Sequence, residues 1–171
     1  MGSGPSSDAG TLRPDDHVSG SPDGPLVIVY GDAGCPRCQQ GVRFLRGAPV
    51  RLVWRHLVLR ARGPRPRALA AALEAAARQD GFWPLLDRLL AEPGRTEDPD
   101  LWAHCEQLGL DVARFDRDRR DERTQERIGR DLAEGLSVGA VGTPAILVGG
   151  RVDHGIPDDA WVAALLADPA R

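Results

Sequence analysis

Residues 25–45 read PLVIVYGDAGCPRCQQGVRFL: an apolar, β-branched run, a turn, and then two cysteines, Cys35 and Cys38, with only Pro36 and Arg37 between them. The continuous apolar character of PLVIVY predicts a buried strand, and GDAG is the turn that ends it. Pro36 suits the first turn of a helix, along which Val42, Phe44 and Leu45 offer an apolar side. Strand, turn and helix in direct succession restrict the chain to folds in which a buried strand hands over to a helix N-terminus. Cys35 falls at that junction.

A CxxC pair has three readings: a redox dithiol, half of a metal site, or an accident of spacing among three cysteines. A structural zinc site needs four ligands, and the remaining candidates are Cys105 and the scattered His17, His56, His104 and His154. Adjacent His104 and Cys105 keep a mixed site open. The neighbours of the pair favour redox chemistry. Unpaired N–H groups and the positive end of the helix dipole stabilise a thiolate at Cys35, which becomes the attacking sulfur. Cys38, one turn on, is placed to attack the mixed disulfide so formed. Cys35 is therefore expected to be the more exposed sulfur with the lower pKa, and Cys38 the shielded one. Arg37 adds a permanent cation or is simply a solvated surface residue.

Composition removes other classes. The chain has 171 residues, enough for one domain with a sizeable core, and 22 basic against 25 acidic residues leave a net charge of -3 with no basic stripe. Nucleic acid is not an expected partner. Every basic residue is Arg, so a Schiff-base lysine, a catalytic lysine and a phosphate-loop lysine are excluded. Residues 1–25 are rich in Gly, Ser, Pro and Asp and are expected to form a disordered tail that is dispensable for catalysis. They hold no hydrophobic h-region, and no stretch is apolar enough to span a membrane. The expectation is a cytoplasmic protein without a membrane partner, in a compartment where structural disulfides are rare.

Further along, VRLVWRHLVL (residues 50–59) predicts a strand parallel to the first, joined to it through the intervening helix. From Pro66 the pattern turns helical. PRALAAALEAAARQ, GFWPLLDRLLA after a Gly break, PDLWAHCEQLGL capped at Asp98 or Asp100, DVARFDRD, and a charged helix with Ile128, Leu132 and Leu136 along one side follow in order. VGTPAILVGG then predicts a strand with Pro144 at its start, RVDHGI an edge strand, and PDDAWVAALLA a last helix.

This order resembles the DsbA-like branch of the thioredoxin superfamily, in particular its bacterial stand-alone and antiporter-fused domains. The likeness covers about residues 11–168 and rests on DHVSGSPDGPLVIVYGDAGCPRC, LVWRHLVL, DGFWPLLDRLL, LGLDVARFDRD and VGAVGTPAILVGG. It implies an α/β thioredoxin-like fold over residues 26–168 with a helical insertion at about 66–138. It also implies a thiol-disulfide oxidoreductase acting on protein or low-molecular-weight thiols and disulfides. Cys35 and Cys38 would be catalytic, while Pro36, Arg37, Thr143 and Pro144 would bind substrate, with a cis bond after Thr143. No metal and no organic cofactor is expected. A thiol-conjugate transferase or isomerase on the same fold, which needs only Cys35, and a non-enzymatic zinc or interaction module are the alternatives.

Two departures from the family pattern stand out. Many relatives carry an acid six positions before the first cysteine, where this chain has Val29, so the proton of the buried cysteine would depend on Asp32; otherwise Asp32 is a turn residue. The flank AGCPRC also lacks the acidic and aromatic residues common there. His56 is expected to be a satisfied structural residue, Cys105 an inert buried thiol, and Phe82 and Trp83 packing residues of the helical layer.

Overall fold

The computed structural model describes residues 10–168. Its centre is a five-stranded sheet in the order β1-β3-β2-β4-β5, with β1 at His17–Gly20, β2 at Leu26–Gly31, β3 at Arg51–His56, β4 at Ala145–Val148 and β5 at Arg151–His154. β2 and β3 run parallel with Gly31 opposite His56, which needs a crossover, and helix α1 (Pro36–Arg46) supplies it. The other three pairings are antiparallel. Between β3 and β4 lie α2 (Arg65–Ala77), α3 (Phe82–Ala91), α4 (Asp98–Gln107), α5 (Val112–Asp118) and α6 (Glu122–Ser137); α7 (Asp159–Ala167) closes the described chain. None of the described helices is long and apolar enough to cross a membrane.

Alternation along the strands divides the core between two faces. Val27 and Val29 of β2 join Leu52 and Trp54 of β3, Val42 and Leu45 of α1, and Leu69, Leu73, Leu85 and Leu86 of the helical layer. Ile28 and Tyr30 turn the other way, with Val53, Leu57, Ala145 and Leu147, against Leu132 of α6. Burying a leucine or phenylalanine contributes about 1.5–3 kcal/mol, so these two clusters dominate the stability of the sheet. Gly135 lets α6 approach closely: a Cβ there would sit 2.9 Å from the Tyr30 ring. Ile128 is buried as its period predicts, but Leu136, expected on the same face, is 49 % exposed because the buried stripe of α6 runs through Thr124, Ile128, Asp131 and Gly135 and leaves Leu136 beside it. The cap of α4 is Glu97, in a capping box with Asp100, rather than Asp98 or Asp100 itself.

The expected disordered tail is corrected for residues 10–25; residues 1–9 lie outside the described chain. His17–Gly20 pairs with Trp54–Arg51, and the segment before it is fastened by charge. The inaccessible Asp16 carboxylate accepts from Arg55 Nε (3.1 Å) and Nη2 (2.8 Å) and from the Arg13 backbone N–H (2.8 Å). Arg13 also reaches Asp131 at 2.5 Å and Glu134 at 3.2 Å on α6. Low apolar content does predict disorder in isolation; here buried ion pairs and a strand pairing supply what apolar contacts do not.

Candidate active site

The end of β2 builds the site. Gly31 is compelled by the neighbouring strand, since a Cβ would lie 2.2 Å from the Trp54 ring. Asp32 then closes the turn: its Oδ1 accepts from the Gly34 N–H at 2.8 Å and its carbonyl from the Cys35 N–H at 3.0 Å. Cys35, with extended backbone (φ -95°, ψ 116°), is the N-cap of α1 and Pro36 is its first residue. The Cys35 carbonyl takes the N–H of Cys38 at 3.0 Å and of Gln39 at 3.3 Å, which starts the helix and turns Cys38 inward.

The two cysteines are free thiols in an unequal setting. A hydrogen bond from the Cys38 thiol, together with the Thr143 side chain and the N–H groups of Cys38 and Arg37, holds Cys35 down to about 4 against the opposing effect of burial. The Cys38 thiol is pushed up because it is the donor in that hydrogen bond and is buried, with the charges of Cys35 and Asp32 acting in the same direction. Both residues are buried, with Cys35 at 2 % and Cys38 at 0 % exposure, so the expected order holds by a small margin only and hydrogen bonding supplies most of the difference.

The loop before β4 completes the site. The Thr143–Pro144 peptide is cis, and the Cys35 Sγ lies 3.7 Å from the Thr143 carbonyl oxygen. Among the described residues the buried Thr143 hydroxyl has no other hydrogen-bond partner, so its O–H can serve the Cys35 thiolate. Gly41 of α1 faces Pro144 and Pro157, so this loop and the cysteine helix are in register across the site. Of the expected site residues, Cys35, Cys38, Thr143 and Pro144 come together in the interior. Pro36 and Arg37 stand exposed at its rim, and the Arg37 guanidinium lies beside Gly155.

The secondary candidates separate on the same grounds. Val29 lies in the buried cluster with both cysteines, so that position is apolar. Asp32 is a turn residue by its hydrogen bond to Gly34, yet burial raises its pKa and its charge is felt at both sulfurs. His56 accepts from Trp54 Nε1 at its Nδ1 (3.3 Å) and meets Glu74 with its Nε2 (2.9 Å). Cys105 is inaccessible and burial raises its pKa to about 11, while neighbouring His104 bonds the Arg95 carbonyl. Phe82 stacks on His17, and Trp83 donates to the Val18 carbonyl, so both fix β1 to the helical layer.

Residues 26–166 match the family model of the DSBA-like thioredoxin domain. An Na(+)/H(+) antiporter, NhaA 1, of Salinispora arenicola is 40 % identical over 147 residues, which cover 82 % of this chain and 22 % of that protein. NhaA of Herminiimonas arsenicoxydans is 37 % identical over 158 residues, 88 % of this chain and 25 % of that one. The chain thus spans about a quarter of the length of these curated relatives. Among solved structures, a thioredoxin-like oxidoreductase from Silicibacter pomeroyi superposes with a TM-score of 0.84 at 23 % identity, covering 95 % of this chain and 96 % of that one. Pseudomonas aeruginosa DsbA2 superposes at 0.73 with 24 % identity, over 92 % and 96 % respectively.

Proposed function

The chain belongs to the DSBA-like thioredoxin domain family, and from that premise we propose that it is a thiol-disulfide oxidoreductase whose working group is the Cys35–Cys38 pair. The observation that carries this reading is the Cys35 sulfur at a helix N-cap, stabilised as thiolate by the Cys38 thiol and 3.7 Å from the Thr143 carbonyl. In the reducing direction the Cys35 thiolate attacks one sulfur of a substrate disulfide, a Cys35–substrate disulfide forms, and the other substrate sulfur leaves as thiolate. Cys38 then attacks the Cys35 sulfur. The Cys35–Cys38 disulfide forms, the second substrate sulfur leaves, and the Cys38 proton ends on one of the two released sulfurs. Two electrons pass to the substrate, and the reverse sequence oxidises a dithiol.

Substrates are disulfides or thiols of proteins or of small molecules, held by the backbone at Thr143 and Pro144 with Pro36 and Arg37 at the rim. Protein substrates are favoured by two apolar side chains beside that loop. Val141 is 71 % exposed and Ile156 41 % exposed, while Gly155 N–H donates to the Pro144 carbonyl and brings the Ile156 segment alongside. The test is catalysis of disulfide exchange in a model protein substrate in a glutathione buffer. Acceleration over the buffer alone, lost in Cys35→Ser, is the expected result; equal rates with wild type and Cys35→Ser would remove the proposal.

A further inference from the structure

Away from the cysteine pair, a second cluster joins three elements that sequence separation keeps apart. His17 on β1, His56 at the end of β3 and Glu74 on α2 place three ligand-type atoms within 4.8 Å of one another. Glu74 Oε1 lies 2.7 Å from His17 Nε2 and 2.9 Å from His56 Nε2. All three side chains are largely shielded, at 12 %, 2 % and 10 % exposure for His17, His56 and Glu74. Phe82 stacks on the His17 ring at 3.6 Å and 12°, which fixes the plane of the imidazole.

The donor types suit a cation. The triad offers two imidazole nitrogens and one carboxylate oxygen, converging from three elements on one point. On the His17 side, a cleft of about 250 Å³ lined by Asp16, His17, Phe82, Trp83 and the exposed Asp80 reaches the edge of the cluster.

We propose that His17, His56 and Glu74 form a binding site for one divalent transition-metal ion, with Zn²⁺ as the reference cation and water as the fourth ligand. Two imidazoles and a carboxylate match the ligand preference of Zn²⁺ among biological cations. Coordination at about 2.0–2.2 Å requires the three atoms to part slightly from their present hydrogen-bond spacing so that the ion replaces the shared protons. Bound there, the ion ties β1 to α2 and to the strand that ends beside Asp32. Trp54 sets the strength of the site. Its N–H points at His56 Nδ1, which places the imidazole proton on Nε2 in the metal-free protein. Metal on Nε2 returns that proton to Nδ1, facing the indole N–H, so Trp54 weakens binding.

The experiment titrates Zn²⁺ alone, against a chromophoric competitor, into the full chain carrying Cys35→Ser and Cys38→Ser, so that the paired thiols cannot compete. One equivalent should bind. His17→Ala and Glu74→Gln in that background should each weaken binding by about 100-fold, and Trp54→Phe should tighten it. Should a variant fail to fold, Co²⁺ added to the parent decides: visible bands of nitrogen and oxygen ligation without a thiolate charge-transfer band support the site. Absence of Zn²⁺ binding, binding unaltered in both folded ligand variants, or a thiolate band in the Co²⁺ spectrum would overturn the proposal and leave a hydrogen-bonded polar cluster.

Discussion

Replacing Asp16 by Ala isolates the contribution of the N-terminal segment to the fold. The Asp16 carboxylate and the Arg55 guanidinium are both inaccessible, and two of the three guanidinium nitrogens of Arg55 donate to Asp16. Removing one partner of a buried pair costs about 3–5 kcal/mol because the other charge stays in the interior. Arg55 keeps Glu134, the Tyr30 hydroxyl (3.4 Å) and the Thr11 carbonyl (2.7 Å), which places the loss at the lower end, about 3 kcal/mol. For a domain of this size that lowers Tm by about 6–12 °C. Glu92→Ala, which deletes a solvent-screened pair with Arg95, should leave the midpoint almost unchanged. Burial raises the Asp16 pKa, but its hydrogen bonds to Arg55 and the Arg13 N–H outweigh this and lower it below 3.8. A group with a depressed folded pKa stabilises fully above its unfolded value, so the gap between wild type and Asp16→Ala should be constant down to about pH 4 and close below it. Urea unfolding followed by circular dichroism measures both quantities. A loss under about 1 kcal/mol, or one equal to that of Glu92→Ala, would refute the buried-pair argument.

Alkylation followed by mass spectrometry should modify Cys35 first at mildly acidic pH, with Cys38 and Cys105 held as unreactive thiols by raised pKa values. The rate should fall only as pH drops through about 4; an inflection near 9 would contradict the hydrogen-bonded thiolate. Deleting residues 1–20 should abolish cooperative unfolding, because it removes β1, Asp16 and His17 together; a deletion variant with an unchanged midpoint would show that these contacts are dispensable. Gly31→Ala drives a methyl group into the Trp54 ring and should cost about 1–3 kcal/mol in urea unfolding. A neutral effect would mean that the β2–β3 spacing can relax.

Local signals made part of this molecule legible. PLVIVY, the Cys-Pro pair and the VGTPAILVGG run announce themselves through apolar continuity and Pro placement, and the helical segments through period and propensity. What escaped depends on partners distant in sequence. HVSG is too short and polar to announce a strand, and it becomes one by pairing with β3. Arg55, Asp131 and Glu134 look like solvated charge in a chain rich in Arg, yet Arg55 is inaccessible and its partners come from 39 and 79 residues away. Sequence periodicity carries no information about such pairing. His17 and Glu74, 57 residues apart, meet only because β1 and α2 flank the end of β3. The unequal thiols were visible as a helix-start pair, but their near-equal burial was not, since it depends on the Thr143–Pro144 loop more than a hundred residues away.

Trapping of the mixed disulfide tests the central claim most directly. Cys38→Ser keeps the attacking thiolate and removes the resolving one, so incubation with a disulfide-bonded protein substrate should accumulate a covalent adduct at Cys35, seen by non-reducing mass spectrometry and released by reductant. Cys35→Ser should give none. Adducts at Cys38 or Cys105 instead of Cys35, or equal trapping by both single variants, would contradict the division of labour read from the hydrogen bonds at the start of α1.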